Sequence, residues 1–114
     1  MKPYSQTSML KDKYIFNIDY ANAAILSAHV KALQQYAVVK PHERPKGKSL
    51  ELLVCAVLKK FAKRLDGKLF DYATSVRFQM TTQEILAFHC AYKADLLPRT
   101  AAGQTIFETI DKVV

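Results

Sequence analysis

Two stretches of this 114-residue chain decide its expected fold: YIFNIDYANAAIL at residues 14–26 and VRFQMTTQEILAF at residues 76–88. In each stretch, large apolar residues recur at every second position, which is typical of a β-strand with one buried face. A residue that can cap a helix follows, Asp19 in the first stretch and Thr81 in the second. Their side-chain oxygens can accept hydrogen bonds from the free N–H groups of a first helical turn. The sequence therefore predicts a strand–cap–helix unit twice.

The two stretches align at a constant offset of 62 residues. Phe16 falls on Phe78, Ile18 falls on Met80, and the two capping positions fall on each other. Either an internal duplication produced this pattern, or it reflects the shared physics of any strand that leads into a capped helix. Both interpretations predict the same alternation of buried and exposed positions in the two strands.

The first helix is expected to span residues 20–38. Leu26, Val30 and Leu33 adjoin its predicted core-facing side, and Ser27 is expected on the solvent side. The residues predicted to face the core are Ala21, Ile25, Ala28, Ala32, Tyr36 and Val39.

A second helix is expected from Leu50 to Leu65, with Ser49 as its N-terminal cap and Gly67 as its stop. One wide apolar stripe of this helix faces the core, and its lysines cluster roughly opposite.

The second strand is expected at residues 75–80, followed by a third helix that opens at Thr81. Thr81 and Glu84 match a capping box, in which each side chain satisfies a free backbone N–H group. Pro98 is expected to end this helix, and a short C-terminal helix is expected after Gly103.

These elements predict an α+β, mostly helical fold in the order β-α-α-β-α(-α), within one domain at residues 1–114. Residues 1–12 are expected to form a flexible N-terminus, and residues 40–48 an exposed basic loop. Two helices between the strands favour a small antiparallel two-stranded sheet with a pseudo-twofold axis. Such a sheet is marginal alone, so helices must cover one face, and an outer edge is available to a second copy in a homodimer.

The positive charge is concentrated in residues 40–68. The chain has a formal net charge of +7, and this segment holds nine basic and three acidic side chains, a net of +6. Clustered lysine and arginine attract phosphate backbones through Coulomb attraction and counterion release. The candidate nucleic-acid contacts are Lys40, Arg44, Lys46, Lys48, Lys59, Lys60, Lys63 and Arg64.

This charge favours a small, basic, non-enzymatic binding module that contacts nucleic acid backbone through the 40–68 surface. The sequence has no helix–turn–helix spacing, zinc-knuckle pattern or glycine-rich phosphate loop, so binding mostly without sequence specificity is expected. Two further interpretations of the charge are an acidic protein partner and a solvated face that keeps the protein soluble. The alternative function is protein–protein interaction or assembly, as a homo-oligomer or with an acidic partner, through an apolar sheet edge or helix face.

Catalytic, cofactor and metal sites are not expected. The sequence has no Cys-x-x-Cys motif and no histidine at ligand spacing from another ligand, and its carboxylates sit at caps and turns. Cys55 and Cys90 lie in apolar helical patterns and are expected to be buried free thiols. A polar N-terminus and the lack of a long apolar run predict a cytoplasmic protein without a membrane span.

Overall fold

The computed structural model describes residues 12–35, 49–71 and 74–114. Over these ranges the elements follow the predicted order, which confirms the α+β, mostly helical class. The predicted basic loop at residues 40–48, and all of the predicted flexible N-terminus except Asp12, lie outside the described residues. The elements are β1 (Lys13–Asp19), α1 (Tyr20–Leu33), α2 (Ser49–Lys68), a 3-10 turn (Leu69–Asp71), β2 (Ser75–Thr81), α3 (Thr82–Lys93) and α4 (Ala101–Asp111).

The two strands form an antiparallel ribbon with Phe16 paired to Phe78 at its centre. Alternate residues of both strands are buried or half-buried, and the residues between them are exposed. The ribbon therefore has one face against the helices and one face open to solvent, as the alternation predicts.

The ribbon register agrees with the 62-residue repeat. Phe16 and Phe78 are equivalent in the repeat and also form a pair, so a local twofold axis passes between them. The helices α1 and α3 begin at equivalent positions, Tyr20 and Thr82, and both contact the ribbon. The predicted pseudo-twofold arrangement therefore relates two β-α units.

Both predicted helix caps beside the ribbon are confirmed. The Asp19 carboxylate accepts a hydrogen bond from the backbone N–H of Asn22 at 3.3 Å. Thr81 accepts one from the N–H of Glu84 at 3.2 Å, and the Glu84 carboxylate accepts the N–H of Thr81 at 3.0 Å. These bonds satisfy free N–H groups of the first turns, so each helix can begin directly where a strand ends.

The hydrophobic core lies between the buried face of the ribbon and the helices. Phe78 is 2% exposed, and its ring centre lies 5.5 Å from that of Phe16 and 5.7 Å from that of Phe61 on α2. Other fully buried side chains come from all four described helices and from β2: Val30, Leu58, Leu65, Met80, Ile85, Phe88, Tyr92, Ile106 and Ile110.

The predicted buried face of α1 is wrong. Ile25 is 44% exposed, whereas the buried side consists of Ala23, Leu26, Ser27, Val30 and Leu33. Apolar residues surround most of α1, and the larger Leu26, Val30 and Leu33 bury more apolar area than the alanines do. Of the predicted core-facing residues, Tyr36 and Val39 lie outside the described residues, and the others are exposed: Ala21, Ile25, Ala28 and Ala32.

The predicted ends of the first two helices also differ from the structure. α1 ends at Leu33 rather than at residue 38, and α2 continues through Gly67 to Lys68. Apart from its chain neighbours and its own helix backbone, no atom of the described residues lies within 4 Å of the position that a Cβ of Gly67 would occupy. Leu65 is buried in the core before this glycine, and Leu69 packs against the core one turn later. The helix continues past the glycine because these tertiary contacts override intrinsic propensity.

The third helix ends at Lys93, before the predicted stop at Pro98. Asp95 has a φ of 60°, and Leu96 donates its N–H to the carbonyl of Ala91 at 2.9 Å. This six-to-one hydrogen bond after a left-handed residue is a Schellman motif, which closes the helix without the proline.

The fourth helix begins at Ala101, so Gly103 lies inside it and does not precede it. Thr100 caps this helix by accepting the N–H of Gly103 at 2.9 Å. A Cβ on Gly103 would lie 3.0 Å from the ring of Tyr92. The glycine thus allows α4 to approach α3 closely.

The two cysteines differ in exposure. Cys55 is buried, and its thiol contacts the carbonyl oxygen of Leu33 at 3.4 Å. Burial raises the pKa of the Cys55 thiol, and the nearby Glu51 raises it further. Cys90 is exposed, so the prediction of two buried thiols is wrong for this residue. Its neighbour His89 takes the buried position, where the imidazole stacks on another ring.

Candidate nucleic-acid interface

Three of the predicted contact residues lie on the solvent side of α2. Lys59, Lys60 and Lys63 are exposed. The opposite side of the helix carries the apolar stripe that packs into the core, with Leu58 and Phe61 fully buried. The amphipathic pattern of α2 therefore presents these ammonium groups together on one surface.

Arg64 has a different environment from the three lysines. Its two terminal nitrogens donate to the Glu84 carboxylate at 2.8 Å and 2.6 Å, and one of them also donates to the carbonyl oxygen of Gln79 at 3.0 Å. Hydrogen bonding to Glu84 raises the pKa of the Arg64 guanidinium. Arg64 therefore joins α2 to β2 and α3.

This junction places basic residues beside the ribbon. Lys60 and Lys68 lie four residues before and after Arg64, so all three share one side of α2. Arg64 meets the backbone of Gln79 on β2. Lys60 and Lys68 therefore lie on the side of α2 that is next to β2, whereas Lys59 and Lys63 face solvent farther around the helix.

The Glu84 carboxylate has two structural roles. It closes the capping box of α3 and accepts the Arg64 guanidinium, and only 7% of its side-chain surface is exposed. Burial raises the pKa of Glu84, but the hydrogen bonds from Arg64 and Thr81 outweigh this effect. The pKa consequently lies below its ordinary value of 4.5.

We expect a pH-dependent loss of stability from this pair. Because its folded pKa is lowered, ionised Glu84 stabilises the fold at neutral pH, and this contribution disappears as the pH falls from about 4.5 through the lower folded pKa. Glu84→Gln is expected to cost about 1–2 kcal/mol at pH 7, because Arg64 remains 43% exposed to screening water. Urea unfolding at pH 7 and between pH 5 and about 2.5 measures both effects.

The matched control for this prediction is Glu108→Gln, which removes an exposed carboxylate on α4. It should retain the acid dependence of the unmodified protein. Equal acid dependence in the Glu84→Gln variant and the unmodified protein would contradict the assigned role of Glu84.

The remaining predicted contacts cannot be placed. Lys40, Arg44, Lys46 and Lys48 lie outside the described residues. Their connection to the surface of α2 therefore remains a prediction from the sequence.

The structure shows one candidate surface that the charge pattern did not indicate. On the open face of the ribbon, Ile15 is 53% exposed, and Lys13, Asn17, Arg77 and Gln79 are exposed around it. The strand alternation that located the buried face already contained this information, at the positions between the buried residues. The sequence predicted an open strand face, but it did not show which residues of the two strands lie side by side on that face.

Apolar residues are also exposed at the start of α2. Leu50 is 57% exposed and Leu53 is 60% exposed, and they line a groove toward Leu86 and Cys90 of α3. On the same helix, Ala56 is exposed and Leu52 is half-buried.

His89 participates in packing between the last two helices. Its Nε2 lies 3.0 Å from an Asp111 carboxylate oxygen, and its ring stacks on Phe107 at 4.8 Å. Across residues 12–35, 49–71 and 74–114, no three histidine, cysteine, aspartate or glutamate side chains form a group that could hold a metal ion. In that same part of the chain, every helix is too short or too polar to span a bilayer.

No protein-family model, curated protein or solved structure matches this chain. The function is therefore argued from the arrangement of its own residues.

Proposed function

We propose that this protein is a small, cytoplasmic, non-enzymatic module that binds the phosphate backbone of nucleic acid through its 40–68 surface. The observation that supports it most is the group of three exposed lysines on α2: Lys59, Lys60 and Lys63. Arg64, which the sequence grouped with them, contributes by holding α2 against β2 and α3 through Glu84. A fixed helix presents the lysines together.

The physical basis of the proposal is counterion release. A phosphate backbone carries condensed cations, and each lysine that neutralises a phosphate releases about one of them. The acidic residue nearest this group in the sequence, Asp66, is paired with Lys31 of α1 at 3.0 Å. Because Asp66 is paired with α1, this carboxylate offers the three lysines less neutralisation, which favours an external partner for them.

A salt titration tests this proposal. Fluorescence anisotropy with a labelled DNA duplex of mixed sequence should show binding at 50 mM salt. Three phosphate contacts from α2 alone predict a roughly 40-fold loss of affinity between about 50 and 200 mM salt, and the segment that precedes α2 can only steepen it. Absence of binding at low salt, or an affinity that does not change over this range, would overturn the proposal.

The second candidate function is assembly or binding of a protein partner. Exposed Leu50 and Leu53 support it, because neighbouring large apolar side chains at a surface commonly mark an interaction site. A homodimer formed through them would be detected by light scattering and would persist at high salt. Salt-resistant association of this kind, without duplex binding, would favour the second candidate over the first.

A further inference from the structure

The open face of the ribbon carries side chains that suit recognition of base edges. Each strand has seven residues, so the ribbon is about 22 Å long. Its central part combines one aliphatic side chain, two carboxamides and one guanidinium: Ile15, Asn17, Gln79 and Arg77. An ordinary solvent-facing strand needs only polarity, whereas these groups each match a feature of a base pair.

The ribbon register brings these four side chains together. Ile15 pairs with Gln79, and Asn17 pairs with Arg77. Just beyond the ends of the ribbon, the N–H of Tyr20 donates to the carbonyl of Thr74 at 3.1 Å, and the N–H of Thr82 donates to the carbonyl of Asp12 at 3.2 Å. Hydrogen-bonded pairs alternate along an antiparallel ribbon, so the pairs of the buried face are hydrogen-bonded as well. The two open-face pairs are therefore the non-hydrogen-bonded ones, whose Cα atoms lie about 4.5 Å apart. The four side chains form one compact patch.

The chemistry of this patch matches the major groove of DNA. A carboxamide can form two hydrogen bonds with adenine, and a guanidinium can form two with guanine. An aliphatic side chain can contact the methyl group of thymine. Lys13 at one end of the same face adds positive charge for a phosphate contact, and Asp19 at the other end, the cap of α1, carries negative charge.

We infer that the ribbon enters the major groove of duplex DNA and reads base edges with Asn17, Gln79, Arg77 and Ile15. This inference rests on the proposed function, because the exposed lysines of α2, of which Lys60 lies on the side next to β2, supply the phosphate contacts. A two-stranded ribbon fits a major groove about 12 Å wide. In the part of the chain that the structure describes, the helices pack on the other face of the ribbon, which leaves its open face able to reach the floor of the groove.

Duplex DNA fits this surface better than RNA does. The major groove of an RNA duplex is too deep and narrow for side chains to read. Single-stranded RNA is read mainly by aromatic side chains on which bases stack. The aromatic residues of the ribbon all belong to its buried face: Tyr14, Phe16 and Phe78.

The pseudo-twofold axis predicts the form of the DNA site. Asn17 and Gln79 are equivalent positions and both carry carboxamides, so each half of the site should contain an adenine. Ile15 and Arg77 are also equivalent, but one suits thymine and the other guanine. The preferred site is therefore approximately symmetric without being a palindrome.

Selection from a random-sequence duplex pool by the full chain tests this inference. We expect one short motif to be enriched. Asn17→Ala and Gln79→Ala should each lower the preference for that motif over random duplex by roughly tenfold, and the double variant by roughly 100-fold. Binding to random duplex should change by no more than about twofold, since the lysines of α2 remain.

The matched control is Gln83→Ala. It removes an exposed carboxamide of α3 that lines the groove near Leu53. It should retain the full preference, and the thermal unfolding midpoints of all variants should agree. Salt-dependent duplex binding without an enriched motif would overturn the ribbon inference and leave the proposed function intact. So would a preference that survives in the double variant. Absence of any duplex binding by the unmodified protein would overturn both the ribbon inference and the proposed function.

Discussion

The triple variant Lys59→Glu, Lys60→Glu, Lys63→Glu is expected to bind a DNA duplex at 50 mM salt at least about 100-fold more weakly than the unmodified protein. Each substitution replaces an exposed ammonium on α2 with a carboxylate that phosphates repel. Three such changes lower the formal net charge from +7 to +1. The anisotropy titration that measures the unmodified protein gives this ratio directly.

The control for the triple variant reverses exposed charges elsewhere. Lys93→Glu and Lys112→Glu, at the ends of α3 and α4, lower the net charge by four without changing α2. This control should lose much less affinity, because contacts at the interface count for more than distant net charge. Equal losses in both variants would contradict a localised interface on α2. Circular dichroism melting checks that each variant is folded.

Phe78→Ala is expected to lower the free energy of unfolding by about 3–5 kcal/mol, which is a large part of the stability of a small domain. Phe78 lies beside the pseudo-twofold axis and is 2% exposed. Its ring contacts Phe16 across the ribbon and Phe61 on α2. The substitution leaves a cavity where both strands and α2 meet.

The control for Phe78→Ala is the next residue on the same strand. Gln79→Ala changes a side chain on the open face and should alter the free energy of unfolding by about 0.5 kcal/mol or less. Urea denaturation followed by circular dichroism measures both variants. A loss below about 1 kcal/mol for Phe78→Ala would mean that the ribbon is not joined to the core as described.

The strand and cap predictions succeeded because they depend on nearby residues. Alternation over a few residues sets the buried face of a strand, and a cap acts within three residues of itself. Asp19 and Thr81 therefore identified both strand-to-helix junctions. The repeat at an offset of 62 also predicted a pseudo-twofold pair, and the register of Phe16 with Phe78 confirms that arrangement.

The predictions that failed depended on contacts between distant segments. α1 has apolar residues around most of its surface, so its sequence does not decide whether Ile25 or Leu26 faces the core. Gly67 can stop a helix, but the packing of Leu65 decides that α2 continues. Cys90 has apolar neighbours in sequence, yet the rotation of α3 leaves it exposed.

The candidate site illustrates the same difference. The sequence identified Lys59, Lys60 and Lys63 as a basic group, because helical spacing alone predicts a shared face. It counted Arg64 with them, although this guanidinium binds Glu84, 20 residues later in the chain. An ion pair of this separation cannot be found from local spacing.

The sequence by itself determined two strands, their caps, the element order and a basic helix face, because period, capping and charge act over a few residues. Only the tertiary structure decided the strand pairing that places Ile15 beside Gln79 and Asn17 beside Arg77 on the open face. It also joined α2 to β2 and α3 through Arg64 and Glu84, which places Lys60 next to the ribbon. Both outcomes depend on how distant apolar surfaces pack together, and that packing minimises exposed area over the whole chain rather than within any one segment.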